Sequence, residues 1–190
     1  MPRFFIRQEQ VSEGKIRIMG DDARHISFSL RMAVGESVTV CDMQGIEYDC
    51  EIRAFEGGEV VLGILSSRPS ENEPKVNITL YQALPKGDKL DSVIQKAVEC
   101  GVSKIVPFES ERCIVRIKAD TEDKKRTRRC RIAEEASKQC GRSIIPDVTL
   151  PVSFDKMLEG AKKSDVCIFC YEGEGTRTLA SILQKADLPE

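Results

Sequence analysis

The chain has 190 residues, 41% apolar and 32% charged, with a formal net charge of -2. That is enough apolar material for a real core in one domain or two small ones, and no apolar run approaches a membrane span. Met1-Pro2-Arg3-Phe4-Phe5-Ile6-Arg7 has no cleavable-signal pattern, so the eight cysteines read as reduced thiols of a soluble, cytoplasmic protein.

The charge is uneven. Residues 1–72 carry eight Lys/Arg against twelve Asp/Glu, and residues 86–142 carry fifteen against ten. A basic surface in a near-neutral chain points to a polyanionic partner at one face. A solvated helix face is the alternative.

In chain order, Arg3–Ile6 and Lys15–Ile18 read as short strands. Asp21 and Asp22 offer caps for a helix from His25 to Arg31, and Ser37–Cys41 is strand-like. From Gly45, strict alternation puts Ile46, Tyr48, Cys50, Ile52 and Ala54 on one face of a long strand. Glu56-Gly57-Gly58-Glu59 predicts a tight turn into a return strand, Val60–Leu65, and Ser66–Pro74 a linker. Several short strands with one helix predict a small β-barrel over residues 1–72.

Residues 73–190 read differently. Val76–Gln82 is a strand. Leu90, Val93, Ile94, Ala97 and Val98 then recur at helical spacing, with Gly101 as the stop. Ser103–Phe108 is the next strand, so this is a βαβ unit and the sheet is parallel. A second helix runs from about Thr121 to Cys140, with a thin, small-residue apolar face. Beyond it come a short extended stretch (Ser143–Val148), a helix (Phe154–Lys162), a hydrophobic strand (Asp165–Tyr171) and a last helix (Thr178–Lys185). The fold class is α/β.

His25 is the lone histidine, so Ser-His-Asp and Cys-His catalysis find no second histidine, and no His cluster offers a zinc site. Cys167-Ile168-Phe169-Cys170 has CxxC spacing, but on a strand its thiols point to opposite faces. No metal is expected; a thiol redox protein is the reading that the pair leaves open. Pro85-Lys86-Gly87-Asp88-Lys89 opens a helix after a strand, where backbone amides hold anions, yet it is neither a Walker A loop nor GxGxxG. Lys86, Lys89, Lys96, Glu99, Arg112, Glu135, Gln139 and Arg142 remain as a polar set on α/β elements. Physics alone reads them as a polyanion site with carboxylates available for acid–base work.

At these residues the sequence resembles the ribosomal RNA small subunit methyltransferase E (RsmE) family. The resemblance rests on Met1-Pro2-Arg3-Phe4-Phe5, on His25 with Leu30-Arg31-Met32 and Gly35-Glu36, and on Lys86-Gly87-Asp88-Lys89-Leu90-Asp91. It continues through Gln95-Lys96-Ala97-Val98-Glu99-Cys100-Gly101-Val102, Ser110-Glu111-Arg112 and Ala136-Ser137-Lys138-Gln139-Cys140-Gly141-Arg142. It implies a PUA-like β-barrel (1–72) followed by a SPOUT-type knotted parallel-sheet domain (73–190). It implies S-adenosylmethionine as cofactor, N3 of a uridine in 16S rRNA of the small ribosomal subunit as target, and a homodimer.

By that resemblance Arg112, Glu99 and Arg142 are candidate catalytic residues, with a helix-end ion pair as the alternative for Glu99. Glu172 is the candidate at the donor. Arg3, Arg7, Arg24, Arg31, Lys86, Lys89 and Lys96 are candidate RNA contacts. Family members continue with a strand ending in Gly-Pro-Glu-Gly-Gly and a later Leu-Arg-x-Glu-Thr-Ala segment. The SPOUT domain is therefore expected to be C-terminally incomplete here, and a non-catalytic RNA-binding role is the alternative.

Overall fold

The computed structural model describes residues 1–117, 119–170, 173 and 177–184. The first module has six strands: β1 (Arg3–Phe5), β2 (Val11–Ser12), β3 (Lys15–Ile18), β4 (Ser37–Cys41), β5 (Ile46–Glu56) and β6 (Glu59–Pro69). They form one sheet in the order β1-β4-β5-β6-β3-β2. All neighbours are antiparallel except β1 and β4. Among the described residues no pairing of β1 with β2 closes this path into a barrel. Phe4, Ile16, Ile18, Ile26, Val38, Val40, Ile52 and Leu62 fill its core.

β5 and β6 form the expected hairpin, turned at Gly57 and Gly58 with φ of +58° and +86°. Both positions need the left-handed region that glycine enters freely. β6 runs four residues into the predicted linker, because Ser66–Pro69 pair with Ile46–Asp49. Register shifts in this pair break the strict alternation of β5. Glu47, expected on the polar face, is 3% exposed and accepts from Arg3 (2.8 Å) and Ser70 (3.0 Å). The predicted helix starts earlier. α1 spans Gly20–Arg24, with Asp21 and Asp22 in its first turn, and continues as one π-turn, His25–Ser29.

The second module begins with β7 (Thr79–Ala83), α2 (Lys89–Glu99), β8 (Lys104–Glu109) and α3 (Ala119–Cys140). β9 (Asp147–Val148), β10 (Val152–Ser153), α4 (Phe154–Ala161) and α5 (Leu179–Leu183) follow. The sheet is wholly parallel, as the βαβ pattern predicted. β8 is central, with β7 on one side. On its other side β9 pairs with Lys104 and Ile105, and β10 with Phe108 and Glu109. They are two pieces of one line, interrupted at Pro151, which has no amide to donate.

Leu90, Ile94 and Val98 of α2 are fully or nearly buried, together with Ala133 and Ala136 of α3, Ile105 and Val148. The small α3 residues let the two helices lie close. Residues 165–170, predicted as a strand, form none, and Phe169 is 79% exposed. The strand-based argument about Cys167 and Cys170 therefore lapses; both thiols are free and exposed.

Lys138 of α3 links the modules. Its ammonium pairs with Asp22 (3.3 Å) and Glu134 (2.7 Å) and lies 5.8 Å from the Phe4 ring centroid. Burial pulls its pKa down, but Glu134, Asp22 and Glu135 outweigh that and hold it above the usual lysine range.

Candidate nucleic-acid interface

In an open α/β sheet, ligands sit beyond the carboxyl ends of the strands. Here that edge consists of the loops after β7 and β8. The first, Leu84 to Asp88, turns at Gly87 (φ +70°) and leaves Lys86 and Lys89 exposed. The second is built around Glu109, which accepts from the Ile117 amide (2.7 Å) and from Arg116 (2.9 Å). These two bonds hold the Glu109 carboxyl below the usual carboxylate range, so it stays ionised. Buried Cys113 accepts from the Ser110 amide at 3.3 Å and pins the turn, which leaves Arg112 exposed at its tip. Among the described residues Lys86, Lys89 and Arg112 form no ion pair.

A second concentration of polar groups lies between α2 and α3. Gln95, Lys96 and Glu99 face Lys124, Thr127, Arg128, Arg131, Glu135 and Gln139 across an open groove of about 1010 Å³, floored by Ile132 and Ala136. Glu99 accepts from Lys96 (3.2 Å) and Gln95 (3.0 Å). Those bonds, Lys96 first, hold its carboxyl below the usual range. Lys96 and Glu99 are thus brought together, as an ion pair near the end of α2.

The three candidate catalytic residues are not brought together. In a βαβ unit the helix runs back, so Glu99 ends up near the start of β8, while Arg112 follows its end. The six residues of β8 separate them by about 20 Å. Arg142 lies at Glu99's end, but it is 4% exposed. It donates to Glu73 (2.7 and 3.2 Å) and to the carbonyls of Val98 and Val102. Expected beside a reacting base, Arg142 instead has its guanidinium bound within the fold. Burial pushes the Glu73 carboxyl up, but Arg142 and the Ser143 and Ile144 amides outweigh it and keep it below the usual range.

On the first module, Arg3 is committed to Glu47 and Cys41, and Arg24 pairs with Asp21. Arg7 and Arg31 are exposed. Glu172 lies outside the described residues. The sequence reading missed Glu73, which it placed in a linker, and did not single out Lys124.

Residues 71–188 match the RNA methyltransferase domain family. Over 175 residues the chain is 31% identical to ribosomal RNA small subunit methyltransferase E of Bacillus subtilis, covering 90% of this chain and 68% of that protein. It belongs to the RsmE family. A crystal structure of a hypothetical protein superposes on 99% of this RsmE chain with a TM-score of 0.88 at 30% identity, covering 76% of that molecule. The S-adenosylmethionine-bound family member from Neisseria gonorrhoeae gives a TM-score of 0.75 at 32% identity, covering 84% of this chain and 65% of that one. The RsmE chain described here thus spans about two thirds of the length of such relatives.

A cavity at the carboxyl edge, between Leu84–Asp91 and Val115 on one side and Lys125–Arg129 on the other, has a volume of about 160 Å³. Sites for nucleoside-sized ligands run to roughly 300–1,000 Å³. S-adenosylmethionine does not fit this cavity.

Proposed function

We propose that this chain supplies the RNA-holding part of an S-adenosylmethionine-dependent methyltransferase acting on N3 of a uridine in 16S rRNA. The observation that carries the reading is a coincidence of place. The RNA methyltransferase match falls on the module whose exposed face concentrates Lys86, Lys89 and Arg112, cations without carboxylate partners among the described residues. The S-adenosylmethionine bound in the Neisseria relative supports the choice of donor. In the overall reaction the N3–H bond of the uracil is replaced by N3–CH₃, a proton is released, and the donor leaves as S-adenosylhomocysteine.

The chain's own residues have two tasks in this reading. Lys86, Lys89 and Arg112 hold phosphates and so fix the position of the target strand. Glu99, ion-paired with Lys96 and hydrogen-bonded by Gln95 at the other end of the sheet from Arg112, helps hold the end of α2. Arg142 fixes the same end of α2. The proposal extends to a PUA-like first module that adds RNA contacts through Arg7 and Arg31, to a SPOUT-type second module, and to a cytoplasmic homodimer.

The test uses the protein as its cell makes it, S-adenosylmethionine with a labelled methyl group, and small subunits from cells that lack the gene. The reading expects label in 16S rRNA as 3-methyluridine. Label on another base, or none, contradicts it.

A further inference from the structure

The groove between α2 and α3 is lined by cations from both helices. We infer that it is a track for the phosphate backbone of the RNA substrate, with Lys124 and Arg131 as the contacting residues. This rests on the RNA-binding reading above and extends it to a face outside the strand ends.

The charges decide which residues are free. Of the cations along the groove, Lys96 is neutralised by Glu99, and Arg128 by Asp91 and Asp88. Glu135 is paired with Lys138. Lys124 and Arg131 are exposed and form no ion pair among the described residues. The groove therefore carries two unopposed positive charges, and its carboxylates are already engaged.

Their spacing suits a strand. Seven residues on a helix are two turns, so Lys124 and Arg131 project from one face about 10 Å apart. That separation lets them meet two phosphates of a single strand lying along the helix. Positively charged grooves that follow the backbone are how single-stranded RNA is held without sequence preference. The track is rigid. α3 is fastened to the sheet by Arg126, which donates to the Val148 carbonyl at 3.0 Å, and is braced along its own length by the buried Arg129–Glu122 pair at 3.3 Å.

A second copy of this chain fits the groove less well. Stable homodimer interfaces have an apolar core, and here only Ile132 and Ala136 supply one beneath a polar rim.

The experiment measures binding of a fluorescein-labelled RNA hairpin with a single-stranded loop across a salt series. The wild-type chain is compared with Lys124→Ala/Arg131→Ala and Lys124→Glu/Arg131→Glu, with mass by light scattering and helicity by circular dichroism in parallel. Both positions are exposed, so the variants should keep the fold. The alanine pair should lower the slope of log K against log salt by about 1.4, two single-strand phosphates' worth. The glutamate pair should weaken binding more than about tenfold at low salt, with mass and helicity unchanged. Wild-type binding with an unaltered slope in the alanine pair overturns the track while leaving the RNA reading intact. A change of mass with an unaltered slope assigns the groove to a second copy and also overturns it. Failure of the wild-type chain to bind RNA defeats both.

Discussion

Arg142 and Glu73, 69 residues apart in sequence, form a clasp in which the carboxylate accepts from the guanidinium and from the Ser143 and Ile144 amides. The same guanidinium donates to the Val98 and Val102 carbonyls at the end of α2. Segment 71–74, the end of α2 and the end of α3 thus meet at one ion pair, whose side chains are 17% (Glu73) and 5% (Arg142) exposed. Removing one partner of a buried pair strands the other. Arg142→Met should therefore cost about 3 kcal/mol in urea denaturation. An unchanged midpoint would mean the clasp is ornamental.

The clasp also sets an acid limit. Glu73's folded pKa lies below its ordinary value of 4.5, so the pair's contribution is complete above that value and is lost as pH falls through the lower, folded pKa. Glu73→Gln should melt below wild type at pH 7, and the gap should shrink steadily below about pH 4.5. A gap that stays constant down to pH 3 would show that the charge on Glu73 is not what stabilises the fold.

At the strand ends, Lys86→Ala with Lys89→Ala should weaken RNA binding and reduce its salt slope by about 1.4 if each lysine meets one phosphate. The two side chains are exposed and unpaired among the described residues, so melting temperature should hardly move. An unchanged slope removes them from the interface.

Cys41 and Cys50 are fully buried, and burial pushes their pKa values up to about 11 and about 12. They should resist alkylation in the folded state at pH 8, whereas exposed Cys100, Cys167 and Cys170 should label quickly. Mass spectrometry of timed labelling checks this. A disulfide between Cys167 and Cys170 in the purified protein would revive the thiol redox reading.

Local chemistry was legible in the sequence at α2 and at the hairpin turn. The apolar repeat Leu90, Ile94, Val98 defined α2 and its buried face, and Gly57-Gly58 defined the hairpin turn. What the sequence hid was pairing over distance. Ser66–Pro69 looked like linker because their strand character comes from their partners in β5, and Glu47 looked solvent-facing because its partners Arg3 and Ser70 are 44 and 23 residues away. Arg142 shows the same limit at the candidate site. An arginine after a helix looks the same whether it faces substrate or, as here, a carboxylate from a distant loop.

The most direct test is the nucleoside content of 16S rRNA from cells with and without this gene, read by mass spectrometry. Deletion should remove 3-methyluridine from small-subunit RNA, and restoring the gene should return it. Undiminished 3-methyluridine after deletion would contradict the proposed function.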